Sequence, residues 1–125
     1  MKKVLIVDDE REIRESLEEL FQDEGYLVST AANGAEALTR LNEAQSPCVV
    51  ILDLLMPILG GDEVYEEMQK APRLRGIPVI IITSDPSRAP NGLLIMKKPM
   101  NLDRLLQTVR QVCPDRAAKG PGVLA

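Results

Sequence analysis

Five short, mostly apolar runs alternate along the chain with longer stretches in which apolar positions recur at helical spacing. Such a run, when it does not alternate with polar residues, is typical of a strand buried on both faces of a parallel sheet. The runs comprise residues 4–7, 27–31, 48–52, 79–82 and 93–96. Because strands that alternate with helices form repeated βα units, the pattern predicts an α/β fold with a doubly wound, five-stranded parallel sheet.

The stretches between the runs predict four helices. The first ends before Gly25, the second begins at the capping residue Asn33 and continues to about Ala44, and the third spans residues 61–70 before Pro72. The apolar face of the first helix comprises Ile13, Leu17, Leu20 and Phe21, and that of the last comprises Leu102, Leu105, Leu106 and Val109.

The interval between the fourth and fifth runs has a different composition. Residues 84–92 contain two prolines, a glycine and almost nothing apolar, so a full helix is not expected there. We therefore predict that the helix between the fourth and fifth strands is shortened or absent. Residues 1–113 are predicted to form one domain, and residues 114–125, which lack periodicity, a flexible C-terminal tail.

Composition excludes several classes of function. The chain has no histidine, which rules out imidazole catalysis, histidine metal sites and phosphohistidine formation within it. Its net charge of −4, without a basic cluster, and its three aromatic residues argue against direct binding of nucleic acid. No apolar run approaches the roughly 20 residues that cross a bilayer, so we expect no membrane insertion and a cytoplasmic location.

The two cysteines, Cys48 and Cys113, have no spacing typical of a metal site. Because we expect the protein in a reducing compartment, we predict that both are structural thiols in the reduced state.

Polar side chains cluster where the predicted strands end. Asp8 and Asp9 follow the first run and Asp53 the third, Thr83 and Ser84 follow the fourth, and Lys97 and Lys98 follow the fifth. Ligands of an open parallel sheet bind beyond the carboxyl ends of its strands. Three carboxylates gathered there require a cation, and Mg²⁺ is suited to oxygen ligands. With a lysine and a hydroxyl at the same edge, the set can support phosphoryl transfer to a carboxylate.

Each of these residues also has an ordinary structural explanation. An acidic pair such as Asp8 and Asp9 often only marks the start of a helix. Threonine is common in strands, and Lys98 alone would be a solvated lysine at a sheet edge. Asp53 is harder to explain in this way, because a carboxylate at the end of a buried strand needs a partner. The combination therefore supports the functional interpretation better than any single residue does.

The same residues resemble the receiver domains of response regulators in two-component signalling. The resemblance covers roughly residues 2–112, and its motifs, in family order, are VLIVDD at 4–9, NGAEAL at 33–38, DLLMP at 53–57 with Gly61, IPVIIITS at 77–84, and Lys98-Pro99. Such an ordered set of motifs is highly specific.

The resemblance implies a role for each matched residue. Asp53 matches the phosphoacceptor, Thr83 the switch hydroxyl and Lys98 the lysine that pairs with the phosphoryl group, whereas Lys97 matches no role. Among the Mg²⁺ ligands, Asp9 matches the direct one and Asp8 one that acts mainly through water. Asp53 itself and the backbone carbonyl of Leu55 complete the implied metal site. The Lys98-Pro99 bond is expected to be cis.

The sequence departs from the family pattern in three places. Thr83 and Lys98 lie only fifteen positions apart, Ile95 replaces the usual switch aromatic, and Gly60 replaces an acidic residue. These changes affect the surface that relatives use for output. We therefore expect output through another surface, or through a partner that recognises the altered loop.

These observations predict a receiver that accepts a phosphoryl group on Asp53, with Mg²⁺, from a histidine kinase or phosphotransfer protein. Such a module would relay its signal to an unknown downstream protein and would not be an enzyme in the usual sense; the oligomeric state stays open. The first alternative is a degenerate receiver that binds a partner regardless of phosphorylation. The second is a Mg²⁺-dependent phosphohydrolase, which is disfavoured because Leu55 stands where such enzymes carry a second acid.

Overall fold

The computed structural model describes residues 2–113 and contains one sheet of five parallel strands. The strands are β1 (Lys3–Val7), β2 (Leu27–Ala31), β3 (Val49–Asp53), β4 (Val79–Thr83) and β5 (Leu94–Lys97). Their order across the sheet is β2-β1-β3-β4-β5. The strand order therefore reverses at the boundary between the neighbouring strands β1 and β3. The predicted α/β fold and all five predicted strands are confirmed.

The helices are α1 (Arg11–Asp23), α2 (Gly34–Leu41), α3 (Gly61–Lys70), α4 (Pro72–Arg75) and α5 (Leu102–Val112). The side chain of Asn33 accepts a hydrogen bond of 2.9 Å from the backbone N–H of Glu36, which confirms the predicted cap of α2. That helix ends at Leu41, three residues before the predicted end. Pro72 not only follows α3 but occupies the first turn of α4, where its missing N–H costs no helical hydrogen bond.

The core lies on both faces of the sheet. One cluster contains Leu5, Val7, Val50, Leu52 and Ile81 and is covered by side chains of α2 and α3; the other contains Val4, Ile6, Ile51, Ile80 and Ile82 and is covered by side chains of α1 and α5. All residues of β3 and β4 are buried, which explains why these strands are nearly continuous apolar runs.

The connection from β4 to β5 contains one 3-10 turn, Pro86–Arg88, and no α-helix. This confirms the prediction that the helix between the fourth and fifth strands is shortened or absent. The side chain of Asp85 starts the turn by accepting a hydrogen bond from the Ser87 N–H at 3.2 Å. Ile95 is 38% exposed and Leu94 is 47% exposed. Two apolar residues of this edge strand therefore remain partly open to solvent.

The prediction of reduced cysteines is wrong for this structure, in which Cys48 and Cys113 form a disulfide with their Cα atoms 5.6 Å apart. Their separation of 65 positions conceals this proximity in the sequence. A helix that follows a parallel strand runs back across the sheet, so the end of α5 returns to the edge where β3 begins. Both cysteines belong to the cluster on that face of the sheet.

Between residues 2 and 113, no helix is both long enough and apolar enough to span a membrane. The predicted tail, residues 114–125, lies outside the described residues, so the domain boundary at residue 113 stays a prediction.

Candidate functional site

The carboxyl edge of the sheet brings together the polar residues that the sequence places at its strand ends. Asp53 is the last residue of β3 and Thr83 the last of β4, while Lys98 directly follows β5. They border an open cleft of about 470 Å³, whose lining comprises Asp9, Glu10, Ile13, Asp53, Leu55, Thr83, Ser84, Lys98 and Pro99. Asp8 lies buried beneath this lining. Lys97, the neighbour without a predicted role, is not among the lining residues.

Asp8 is a fully buried carboxylate held from several sides. Its Oδ1 accepts a hydrogen bond from the backbone N–H of Glu10 at 2.8 Å, and its backbone carbonyl accepts one from Arg14 at 2.8 Å. Its Oδ2 lies 3.0 Å from Lys98 Nζ, an ion pair that lacks the direction of a hydrogen bond. One buried carboxylate oxygen therefore retains capacity for a further ligand.

Lys98 lies among three carboxylates. Its Nζ is 3.0 Å from Asp8 Oδ2, 3.1 Å from Glu10 Oε1 and 3.5 Å from Asp53 Oδ2. Its backbone N–H donates to the Thr83 carbonyl at 2.9 Å, which fixes the start of its side chain against β4. The Lys98-Pro99 peptide bond is cis, as the family resemblance implied.

The acidic site perturbs the pKa values of the residues in it. Burial raises the pKa of Asp53 to about 7, and the negative charge of Asp8 acts in the same direction while Lys98 opposes it. Burial also raises the pKa of Asp8 above its ordinary value. For Lys98, burial by itself would lower the pKa, but the contacts with Asp8 and Asp53 outweigh it and the pKa rises. Lys98 is therefore a single positive charge among three carboxylates that lie within 3.5 Å of its Nζ.

Thr83 is buried at the end of β4, with its side chain directed to the chain that follows. Its Oγ1 accepts a hydrogen bond from the backbone N–H of Asp85 at 3.1 Å. A threonine hydroxyl can accept and donate at the same time, so its proton remains able to serve an oxygen in the cleft. The short turn after β4 thus holds the hydroxyl from one side.

The end of β3 is held by its neighbours on both sides. The Leu54 N–H donates to the Ile82 carbonyl at 3.1 Å, and the Gly61 N–H donates to the Leu54 carbonyl at 2.8 Å. A Cβ atom on Gly61 would overlap the Asp53 carbonyl oxygen and lie 2.9 Å from Leu54 Cα. Glycine at the start of α3 therefore allows this helix to approach the strand that carries Asp53.

The side chains fit a hard divalent cation. Oxygen atoms of Asp8, Asp9 and Glu10 all lie within 4.8 Å of one another. Of these, Asp8 and Asp9 offer the carboxylate oxygens that Mg²⁺ prefers, whereas Glu10 is hydrogen-bonded to Lys98. Sequence reasoning missed Glu10, although its position as a third successive acid after β1 was a signal.

Comparison with known proteins points to one family. The model of the response regulator receiver domain family matches residues 4–110. The chain is 43% identical over 84 residues to a transcriptional regulatory protein, the CpxR homolog of Haemophilus influenzae, covering 67% of this chain and 35% of the relative. It is 33% identical to sporulation initiation phosphotransferase F of Bacillus subtilis, covering 90% of this chain and 94% of the relative. The chain spans about a third of the length of the first curated relatives it matches.

Solved structures agree with this assignment. The response regulator TrrA of Thermotoga maritima, in complex with Mg²⁺ and BeF, is 35% identical to this chain with a TM-score of 0.78, covering 90% of this chain and 99% of TrrA. A structure of the histidine kinase ThkA in complex with TrrA matches with 36% identity and a TM-score of 0.77, covering 90% of this chain and 98% of the matched one.

Proposed function

Because this chain belongs to the response regulator receiver family of two-component signalling, we propose that Asp53 accepts a phosphoryl group in a Mg²⁺-dependent reaction. The observation that carries the proposal is the contact of Lys98 with both buried carboxylates, at 3.0 Å from Asp8 and 3.5 Å from Asp53. A lysine in this position can hold an oxygen of a phosphoryl group bonded to Asp53. The chain would then act as a signalling module and not as an enzyme with an external substrate.

The proposed transfer forms one bond and breaks another. An oxygen of the Asp53 carboxylate forms a bond to phosphorus while the P–N bond of the donor's phosphohistidine breaks, and the departing imidazole nitrogen takes up a proton from solvent. Lys98 offers its ammonium to one phosphoryl oxygen, and the Thr83 hydroxyl can donate to another. Such a reaction depends mainly on positioning and on neutralising charge.

Asp8 and Asp9 are the proposed metal-holding side chains, with Asp53 and the backbone carbonyl of Leu55 completing the set. When bound, Mg²⁺ supplies positive charge that offsets the carboxylates and holds a phosphoryl oxygen. The raised pKa of Asp53 supports this assignment, because burial and the charge of Asp8 disfavour the ionised nucleophile unless a cation is present.

The test is to incubate the protein with Mg²⁺ and acetyl phosphate and to follow its mass. We expect the mass of one added phosphoryl group, its loss when EDTA removes the metal, and its loss in Asp53→Ala. Asp23→Ala, which removes a surface carboxylate at the end of α1, is the matched control and should be modified like the wild type. Absence of the adduct, or its persistence in Asp53→Ala, contradicts the proposal.

The proposed donor is the phosphohistidine of a sensor kinase or of a phosphotransfer protein. The chain lacks histidine, so the donor imidazole must come from another protein. The structure of TrrA with the kinase ThkA supports a kinase partner for a domain of this fold. The downstream protein to which the signal passes has no candidate among these observations.

A second candidate function, partner binding that does not depend on phosphorylation, is favoured by two features. The segment between β4 and β5 contains only a 3-10 turn, and Ile95 occupies the position of the switch aromatic. In that case the mass experiment would show no adduct on the wild type, which separates the two functions.

A further inference from the structure

We infer that Glu10 is a positioning residue that takes one hydrogen-bond donor of Lys98 and so competes for this lysine with a phosphoryl group on Asp53. The family motifs in the sequence assign no role to Glu10. The inference rests on the proposed function of Asp53 and Lys98, and it concerns what sets the affinity of that site for a phosphoryl group.

The geometry of Lys98 favours Asp8 and Glu10 over Asp53. The Glu10 carboxylate accepts a hydrogen bond from Lys98 Nζ at 3.1 Å, whereas Asp53 Oδ2 lies 3.5 Å from the same nitrogen. Asp8 holds the ammonium from below at 3.0 Å. The ammonium is therefore directed to the loop between β1 and α1, and its contact with Asp53 is the longest of the three.

Glu10 is held at its backbone, whereas its carboxylate is largely exposed to solvent. Its N–H donates to Asp8 Oδ1 at 2.8 Å, so its Cα cannot move away from the acid pair. Its side chain is 60% exposed, whereas that of Lys98 is 14% exposed. An exposed carboxylate holds a lysine weakly but measurably, so the competition is expected to change affinity by a modest factor.

Lysine has three N–H donors, and Asp8, Glu10 and Asp53 already surround those of Lys98, so a phosphoryl oxygen gains a donor only by displacing one of these acids. A phosphoryl group on Asp53 needs this ammonium, and every interaction with Glu10 opposes the move. Glu10 thus lowers the affinity of the site for a phosphoryl group, because part of the interaction between Glu10 and Lys98 must be lost when that group binds. Shortening or neutralising Glu10 should release the lysine and strengthen binding of a phosphoryl mimic.

The experiment measures the affinity of the full chain for beryllium fluoride at saturating Mg²⁺ by calorimetry. We expect Glu10→Gln to bind the mimic about 3 to 10 times more tightly than the wild type. Glu10→Asp retains the charge but is one methylene too short for the contact with Lys98, and we expect it to resemble Glu10→Gln. Glu12→Gln, in the first turn of α1, removes a nearby charge and should bind like the wild type.

The comparison of these variants separates a contact from a general effect of charge. If Glu10→Asp binds like the wild type, or if Glu12→Gln binds as tightly as Glu10→Gln, then charge in the neighbourhood explains the result and the inference is wrong. A wild type that does not bind the mimic contradicts the proposed function itself.

A double-mutant cycle tests whether Glu10 acts through Lys98. In a Lys98→Met background, Glu10→Gln should leave the affinity for the mimic unchanged, because no ammonium remains to be positioned. A full 3- to 10-fold gain in that background overturns the inference. If Lys98→Met binds too weakly to measure, the outcome rests on Glu10→Asp and Glu12→Gln in the wild-type background.

Discussion

Asp53 occupies a site that destabilises its ionised form, because the carboxylate is removed from water. A bound cation would compensate for this loss. Its side chain is buried, a second buried acid lies beside it, and Lys98 is shared with two other carboxylates. The same features that raise its pKa to about 7 are the ones that the proposed metal ion would offset. The perturbed carboxylate and the proposed chemistry thus have one physical origin.

The raised pKa predicts how stability depends on pH in the metal-free protein. Because the folded-state pKa of Asp53, about 7, exceeds its unfolded value, the folded state prefers the protonated acid. The contribution of Asp53 to folding is therefore fully present below the unfolded pKa and is lost as pH rises towards 7. We expect Asp53→Asn in EDTA to be more stable than the wild type at pH 7.5, by more than about 1 kcal/mol, and to approach it near pH 4.

Urea unfolding at several pH values measures this difference, and Asp23→Asn serves as the control on an exposed helix end. Saturating Mg²⁺ should reduce the advantage of Asp53→Asn, since the wild type alone retains the acidic ligand. If the wild type and Asp53→Asn lose stability equally between pH 4 and pH 7.5, burial does not perturb Asp53 as described.

At the level of elements, the site depends on how closely α3 approaches β3. We expect Gly61→Ala to lower the free energy of unfolding by about 1 to 3 kcal/mol, because its Cβ would collide with the backbone at Asp53 and Leu54. Gly76→Ala is a matched control, since its Cβ would meet nothing within 4 Å and its φ is −86°. Chemical denaturation of both variants gives the comparison.

The collision at Gly61 also bears on the proposed chemistry, because the backbone that a new Cβ would displace belongs to Asp53, the proposed acceptor. Gly61→Ala should therefore slow adduct formation with acetyl phosphate even under conditions where it is fully folded. Equal rates and equal stabilities for Gly61→Ala and Gly76→Ala would show that the strand end tolerates a side chain.

The turn between β4 and β5 is the element that departs most from the family pattern. We expect replacement of residues 85–91 by a glycine-serine segment of equal length to preserve the adduct on Asp53 and to abolish phosphorylation-dependent binding of a downstream protein. The measurement compares the proteins retained from a native extract by each form, with and without beryllium fluoride. Unchanged phosphorylation-dependent retention would show that the remodelled turn is not part of the output surface.

At the level of the whole molecule, the disulfide joins the end of α5 to the start of β3, at the sheet edge opposite Asp53. Because it closes a loop of 65 positions, reduction should lower the free energy of unfolding by about 2 to 4 kcal/mol. Thermal or urea unfolding with and without dithiothreitol measures this. The double variant Cys48→Ala with Cys113→Ala should not respond to the reductant.

Two results would argue against that prediction. Wild-type stability that is the same with and without dithiothreitol would mean that the cross-link does not contribute. A free thiol titre of two per chain in the unreduced protein would mean that the cysteines are not paired in solution.

The prediction of the strands and of the missing helix succeeded where a local pattern carried the information. Runs of apolar residues predicted β3 and β4, because a strand buried on both faces must be apolar throughout its length. Two prolines and a glycine predicted that no full helix precedes β5, because these residues disfavour helical backbone at their own positions. The end of α2 was less accurate, because nothing in residues 42–44 forces a helix to stop.

The sequence by itself determined the α/β fold and placed Asp8, Asp9, Asp53, Thr83 and Lys98 at strand ends, because hydrophobic periodicity and strand polarity are local properties of a chain. Only the tertiary structure decided which distant groups touch. The contact of Glu10 with Lys98 spans 88 positions, and the pairing of Cys48 with Cys113 spans 65. The pKa of Asp53 likewise depends on burial and on the distance to Asp8, which exist only once the strands have assembled into a sheet.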